Sequence, residues 1–361
     1  MKITNVDLKP YRLKYREKFK IASGHLDHAP VVYMLVHTDE GVTGLGYASG
    51  SAPFYCGETQ ESITAAVKGI MEPVIKGRDP FDIELMMTEI ENGLRLNLRA
   101  KAGLEIALYD LVGKILDLPL YKLWGGLCRR EITVTRMLGI GSPEGVASKA
   151  AELMNKGFKS FKIKIGKDPK GDIDRVRAVR EAVGPDVILC ADANQGYTVK
   201  DAIRTIRGIE QYEICYVEQP VPADDLDGLA LIRKSVAVPI QADESVRSLS
   251  DALNLIKKEA ADIISLKPSE IGGFRKIRKV LAICEAANVQ CLIGPAPGSS
   301  FLDAANTHFA ASCPLIGLPC ELGEFLRMQN DPVSGLKIEG GMAHVPEGPG
   351  LGIHLDLSAF A

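Results

Sequence analysis

The chain lacks a basic surplus. Its 43 Lys and Arg stand against 46 Asp and Glu, a formal net charge of −3, so nucleic acid and anionic membrane are not expected partners. It has no run approaching the roughly 18 uninterrupted apolar residues that a membrane helix needs. Its first residues, "MKITNVDLKPYRLKY", alternate like a strand and carry no continuous apolar core of a leader. The eight cysteines include no CxxC pair, and several, as in "VILCAD", lie inside apolar runs. They are expected to be buried free thiols in a reducing cytoplasm rather than disulfides or zinc ligands. A glycine-rich phosphate loop after an early strand is also missing, which counts against a doubly wound nucleotide-binding sheet.

What is present reads as an ordinary globular chain, 361 residues long, 46% hydrophobic and 25% charged. That length exceeds one typical core, so two domains, or one barrel with additions, are expected. In residues 1–126 strands precede helices. "VDLKPYRLKY", "VVYMLVHT" and "GVTGLGYA" read as strands, the last two joined by a turn at "DEG". "ETQESITAAVKGIMEPVI", "DPFDIELMMTEIENGL" and "AKAGLEIALYDLVGKILDL" carry helical periodicity with Pro and Gly at their ends. Strands grouped before helices predict an α+β domain.

Beyond residue 127 short β-branched runs alternate with amphipathic helices. The runs are "EITVTRML", "SFKIKIG", "VILCADAN", "ICYVEQP", "VPIQADES", "ADIISLKPS", "VQCLIGPAP" and "LIGLPCELG". The ends of successive runs fall at a nearly constant period: Lys164 to Asp192 is 28 residues, Asp192 to Glu218 is 26, Glu218 to Asp243 is 25 and Asp243 to Lys267 is 24. One strand, one helix and two loops fill such a period, and eight of them predict a (β/α) barrel.

The residues that mark the period also carry the chemistry. Each ends its strand, on the rim where such barrels build active sites. Asp192, Glu218 and Asp243 would repel one another unless a cation neutralised them. An all-carboxylate set with no nearby His or Cys suits a hard ion, Mg²⁺ before Mn²⁺. In "FKIKIG", Lys162 and Lys164 share one face of a strand whose other face is apolar. Desolvation, a neighbouring ammonium and a nearby dication would bring Lys164 toward neutrality, as a base requires. Lys267 lies beyond the third ligand and across the barrel, so the two amines are expected to reach a substrate from opposite faces. A metal-chelated carboxylate could then lose its α-proton to one lysine and regain one from the other.

These residues are where a family resemblance enters. "KIKIG", "DANQGY", "VEQPV", "ADES", "SLKPSEIGG" and "AGLEIALYDLVGKILDLPLYKLWGG" resemble the muconate lactonizing enzyme subgroup of the enolase superfamily over nearly the whole chain. The resemblance implies a modified TIM barrel, (β/α)7β, over residues 127–339. It also implies an α+β capping domain over residues 1–126, to which residues 340–361 return. It implies Asp192, Glu218 and Asp243 as Mg²⁺ ligands, Lys164 and Lys267 as the acid/base pair, and Lys162 as a group that holds the substrate carboxylate and lowers the pKa of Lys164. "REKFKIASGHLDH" and "ASGSAPFYCGETQESI" would be the cap loops that select substrate, with Phe54 and Tyr55 as an apolar wall and His28 expected to face solvent. "APFYCGETQESI", "DANQGY" and "ADES" look most like dipeptide epimerases. Those enzymes typically end the eighth strand in Asp-x-Asp, whereas "CELGEF" has Glu321 and Gly323, closer to the cycloisomerases. Glu321 is expected either to bind a polar group of the substrate or to form a salt bridge at the strand end.

The expectation is a cytoplasmic, homo-oligomeric racemase or epimerase acting on a small-molecule carboxylate, an amino-acid derivative or dipeptide. A muconate-type cycloisomerase or a dehydratase would use the same enolate. A Schiff-base aldolase built on Lys267 and a catalytically silent barrel are the competing classes.

Overall fold

The computed structural model describes the chain except residues 22–23, 52, 54–56, 296–297 and 361, and all remaining side chains except those of 17–21 and 24–26. Three antiparallel strands open the fold: β1 (Ile3–Ile21), β2 (Gly24–Thr38) and β3 (Thr43–Ser49). Tyr33 pairs with both Lys9 and Tyr47. The β2–β3 turn falls at "DEG", where Gly41 adopts a φ of 82°. The first expected cap loop, by contrast, is largely strand. β1 and β2 continue to the pairs Phe19–Leu26 and Ile21–Gly24 after a register shift. His28 therefore lies on a strand, opposite Lys14, with its ring on Asp27 at 2.7 Å.

Helices Gln60–Ala66, Ile83–Gly93 and Leu98–Ile115 cover this sheet. Ile63, Met86, Leu104 and Leu108 meet Met34 and Val36 in one apolar cluster. The helix Leu98–Ile115 lies unusually close to β3. A Cβ on Gly44 or Gly46 would run into the carbonyls of Ala107 or Gly103, so only glycine permits the contact. Fourteen of the 18 residues of this helix are buried, because its other side faces the second part of the molecule.

That part begins with β4 (Glu131–Thr133) and a parallel sheet of β5 (Thr135–Leu138), β6 (Ser160–Lys164), β7 (Ile188–Asp192), β8 (Ile214–Glu218), β9 (Ile240–Ala242), β10 (Ile263–Leu266) and β11 (Gln290–Ile293), in sequential order. Helices follow the strands. Those at Pro143–Asn155, Pro169–Val183, Val199–Ile209, Leu226–Ser235, Leu249–Lys257 and Ser300–Ser312 are N-capped by Ser142, Asp168, Thr198, Asp225, Ser248 and Ser299. The expected eighth strand is not a regular ladder. Ile316 bridges Cys291, Cys320 bridges Val134, and the amide of Glu321 donates to the Ile293 carbonyl at 2.9 Å. Pro319, which has no N–H to give, interrupts the run between them. These bridges still close the curled sheet into a barrel.

The C-terminal segment touches both parts. Met342–His344 pairs antiparallel with β4, while the Leu351 amide donates to Asp110 of the long cap helix at 2.8 Å. The seven described cysteines are free, four of them buried and Cys128 exposed. Among the described residues no helix is long and apolar enough to cross a membrane.

Candidate active site

Alternation along β6 decides the chemistry of the barrel interior. Phe161 and Ile163 face outward into the apolar core, and Lys162 and Lys164 face inward. Lys164, Asp192 and Glu218 stand in register on three adjacent strands. Asp243 follows β9 and Lys267 follows β10, each one residue beyond the strand. The five rim residues thus project from five consecutive strands, as the spacing predicts.

Their partners are specific. Lys164 Nζ donates to Asp192 Oδ2 at 2.5 Å and to the Asn194 side-chain oxygen. Lys267 Nζ donates to Asp243 Oδ2, also at 2.5 Å. Lys162 lies beneath this layer, 1% exposed, with Glu321 at 2.5 Å, Glu218 at 2.9 Å and Asp192 at 3.3 Å. The three hydrogens of its ammonium are matched by three carboxylates. Burial alone would lower its pKa, but Glu218, Glu321, Asp192 and Asp243 together raise it well above the ordinary value.

The carboxylates are not alike. Burial pushes Asp192 up, but Lys164 and Lys162 outweigh it and hold the group below the usual range. Glu218 is raised well above that range by burial and by its neighbour Asp192. Burial also raises Glu321, against the pull of Lys162, and Glu244, which sits beside Asp243. The Oε1 of Glu321 is buried without a hydrogen-bond partner among the described residues.

Several contributors went unnoticed in the sequence. Asn194 receives Lys164, donates its amide to Asp192 Oδ1 at 2.8 Å and its side chain to Glu244 Oε1 at 3.2 Å. Gln241 donates to Glu218 Oε2 at 3.1 Å, and the side-chain oxygen of Gln219 takes the Asp243 amide at 3.0 Å. Gln241, two residues before Asp243, gave the same signal as Lys162, a polar group at an inward strand position. Counting charged residues alone passes over it. Phe54 and Tyr55 lie outside the described residues.

The residues can be tested against a divalent ion. Among the described residues no three His, Cys, Asp or Glu side chains stand close enough to grip one ion as placed. Lysine ammonium groups stand against the carboxylates instead. The buried groups are nonetheless acidic enough to accept a cation. Asp192, Glu218, Asp243, Glu244 and Glu321 set five carboxylates against Lys162, Lys164 and Lys267, an acidic excess before the exposed Arg247 of the same cavity is counted, while Glu270 there is paired with Arg99. Burial is the largest cause of the raised pKa values of Glu218, Glu244 and Glu321, with neighbouring carboxylates adding to it. An oxygen-only donor set favours a hard ion.

Two family models match the chain. Residues 4–125 match the mandelate racemase / muconate lactonizing enzyme N-terminal domain, and residues 145–359 match the enolase C-terminal domain-like model. The chain belongs to the mandelate racemase / muconate lactonizing enzyme family. That membership, with its relatives, makes it an isomerase of the enolase superfamily. The N-succinyl-L-Arg/Lys racemase of Bacillus cereus is 35% identical over 99% of this chain and 96% of its own. Its crystal structure superposes with a TM-score of 0.95 and covers 100% of this chain and 97% of that one. The hydrophobic dipeptide epimerase of Enterococcus faecalis is 37% identical over 98% of this chain and 99% of its own. Its structure, complexed with Mg and the dipeptide L-Leu-L-Tyr, gives a TM-score of 0.93 over 98% of this chain and 99% of that one. Muconate cycloisomerase 1 of Rhodococcus opacus is 33% identical over 94% of this chain and 92% of its own.

Proposed function

We propose that this isomerase is a Mg²⁺-dependent racemase or epimerase that exchanges the α-proton of an N-acylated amino acid. One observation carries the reading: two amines, Lys164 and Lys267, stand on separate strands at either side of one carboxylate cluster. Interconverting two configurations by proton transfer needs a base on each face, and a cycloisomerase needs only one.

Asp192, Glu218 and Asp243 would hold the ion, with Asn194, Gln219 and Gln241 setting their orientation. Bound there, Mg²⁺ would supply the positive charge that stabilises the enolate of the substrate carboxylate. With another cation on Asp192 and Asp243, Lys164 and Lys267 would be released from their ion pairs with those carboxylates and could turn to the substrate. One amine takes the α-proton as the C–H bond breaks, and the electron pair passes into the carboxylate. The other, as its ammonium, gives a proton to the opposite face, inverting the carbon and becoming a neutral amine, so the two lysines exchange protonation states. Lys162 stays charged beneath both and offsets part of the negative charge of the ligands.

The acyl group is read from Glu321. A free ammonium on the substrate calls for an exposed carboxylate, and Glu321 is 3% exposed and tied to Lys162, while Gly323 offers no second one. The B. cereus racemase named above supports the same substrate class.

The test is proton NMR in deuterated buffer with Mg²⁺, using panels of N-succinyl and other N-acyl amino acids, dipeptides and cis,cis-muconate. Loss of the α-proton signal with gain of the opposite isomer among the N-acyl compounds is expected. Turnover confined to dipeptides would remove the acyl reading, and lactone formation from muconate would replace it with a cycloisomerase.

A further inference from the structure

The turn that carries Lys267 is not braced like its neighbours. Six barrel helices are capped by their own Ser, Thr or Asp, but the short helix Pro268–Ile271 has Lys267 at its N-cap, whose side chain turns to Asp243 and makes no capping bond. The next helix, Phe274–Ala286, starts at Gly273, which has no side chain to cap with. Gly272 and Gly273 follow one another at φ values of 92° and 119°. Such a segment has little stiffness of its own.

The N-terminal domain supplies what is missing. Arg99, in the first turn of Leu98–Ile115, is 3% exposed and meets Glu270, which is 14% exposed. Its Nε and Nη2 donate to Glu270 Oε1 at 3.0 and 2.6 Å. Its Nη1 donates to the carbonyls of Ser49 at 3.0 Å and Ser51 at 2.7 Å. Its own amide is held by Glu58 at 2.8 Å. One guanidinium therefore joins the end of β3 to the turn that begins at Lys267. Glu270 lines the same cavity as Lys267 and Asp243, so without a cation of its own it would compete for the Lys267 amine.

We propose that Arg99 is a positioning residue for Lys267. It neutralises Glu270 and fixes the Pro268–Ile271 turn against the N-terminal domain. A lysine would keep the charge but not the planar fork that serves three acceptors together. The role rests on the reading of Lys267 as one of two bases, and half of its test does not.

The experiment compares parent protein, Arg99→Gln, Glu270→Gln and the double variant by amide hydrogen exchange and by α-deuterium release from each isomer of the substrate. In Arg99→Gln the amides of Glu270–Gly273 should exchange at least tenfold faster, with those of residues 170–183, beside Lys164, unchanged. Glu270→Gln should do the same and the double variant no more, as for two residues in one interaction. Deuterium release toward Lys267 should fall tenfold or more, and release toward Lys164 less than threefold. Unchanged exchange at Glu270–Gly273, or an equal fall on both faces, would overturn the proposal. If the parent protein turned over no substrate, the two-base reading would fail, and the amide exchange would still decide whether Arg99 braces the turn.

Discussion

Glu105 of the long N-terminal helix accepts the backbone N–H of Arg275 at 2.9 Å and so caps a barrel helix that has no cap of its own. The residues are 170 apart in sequence. Burial pushes the Glu105 carboxyl up to about 7, against the pull of the Arg275 amide and guanidinium.

A pH dependence follows from that burial. A carboxyl whose folded pKa is raised binds its proton more tightly in the folded state, so its contribution is full below about 4.5 and is lost as pH rises through about 7. The loss is on the order of 3 kcal/mol. Thermal unfolding of Glu105→Gln should lack this slope between pH 5 and pH 8, and equal slopes in the two proteins would contradict the assignment.

His308 predicts the opposite limb. It is buried, accepts the Tyr121 amide on Nδ1 at 3.3 Å and meets the Leu351 carbonyl through Nε2 at 3.1 Å. Burial lowers it to about 4, partly offset by the Leu351 carbonyl. The neutral ring is favoured in the folded state, so this stability is full above about 6.5 and lost as pH falls toward 4. Denaturant unfolding of His308→Gln should show a shallower acid limb, together with roughly 1–2 kcal/mol less stability at pH 7 from poorer hydrogen bonds.

Much of this was legible in the sequence, for a physical reason. Barrel strands repeat, and their rim ends carry polar groups that a buried strand otherwise avoids, so Lys164, Asp192, Glu218, Asp243 and Lys267 could be counted out. The enclosure of Lys162 could not, because Glu321 reaches it from a segment that is hardly a strand. Pro319 disrupts the ladder that "LIGLPCELG" suggested, yet leaves the bridges that close the barrel. The Arg99–Glu270 and Glu105–Arg275 contacts join positions with no shared periodicity. Nothing local distinguishes them from surface charges on amphipathic helices.

Gly46 tests the close approach of helix and sheet. Alanine there would push a methyl group into the Gly103 carbonyl and the Ala107 side chain. A loss of about 1–3 kcal/mol or more is expected from overpacking. Calorimetry should show a lower Tm, and a neutral Gly46→Ala would mean that the helix is free to move away.

Lys162→Met should change how the protein responds to Mg²⁺. Removing the buried ammonium leaves Asp192, Glu218 and Glu321 without their shared cation, which should cost about 3–5 kcal/mol in EDTA. Added Mg²⁺ should raise the Tm of the variant more than that of the parent. An equal rise in both would place the ion away from these carboxylates.

The two-base claim is tested most directly by following α-proton exchange in deuterated buffer with Lys164→Met and Lys267→Met, starting from each isomer of an active substrate. Each variant should lose interconversion by at least a thousandfold, and each should retain exchange in only one isomer, opposite for the two variants. Interconversion within tenfold of the parent in either variant, or full activity of the parent in EDTA, would contradict it.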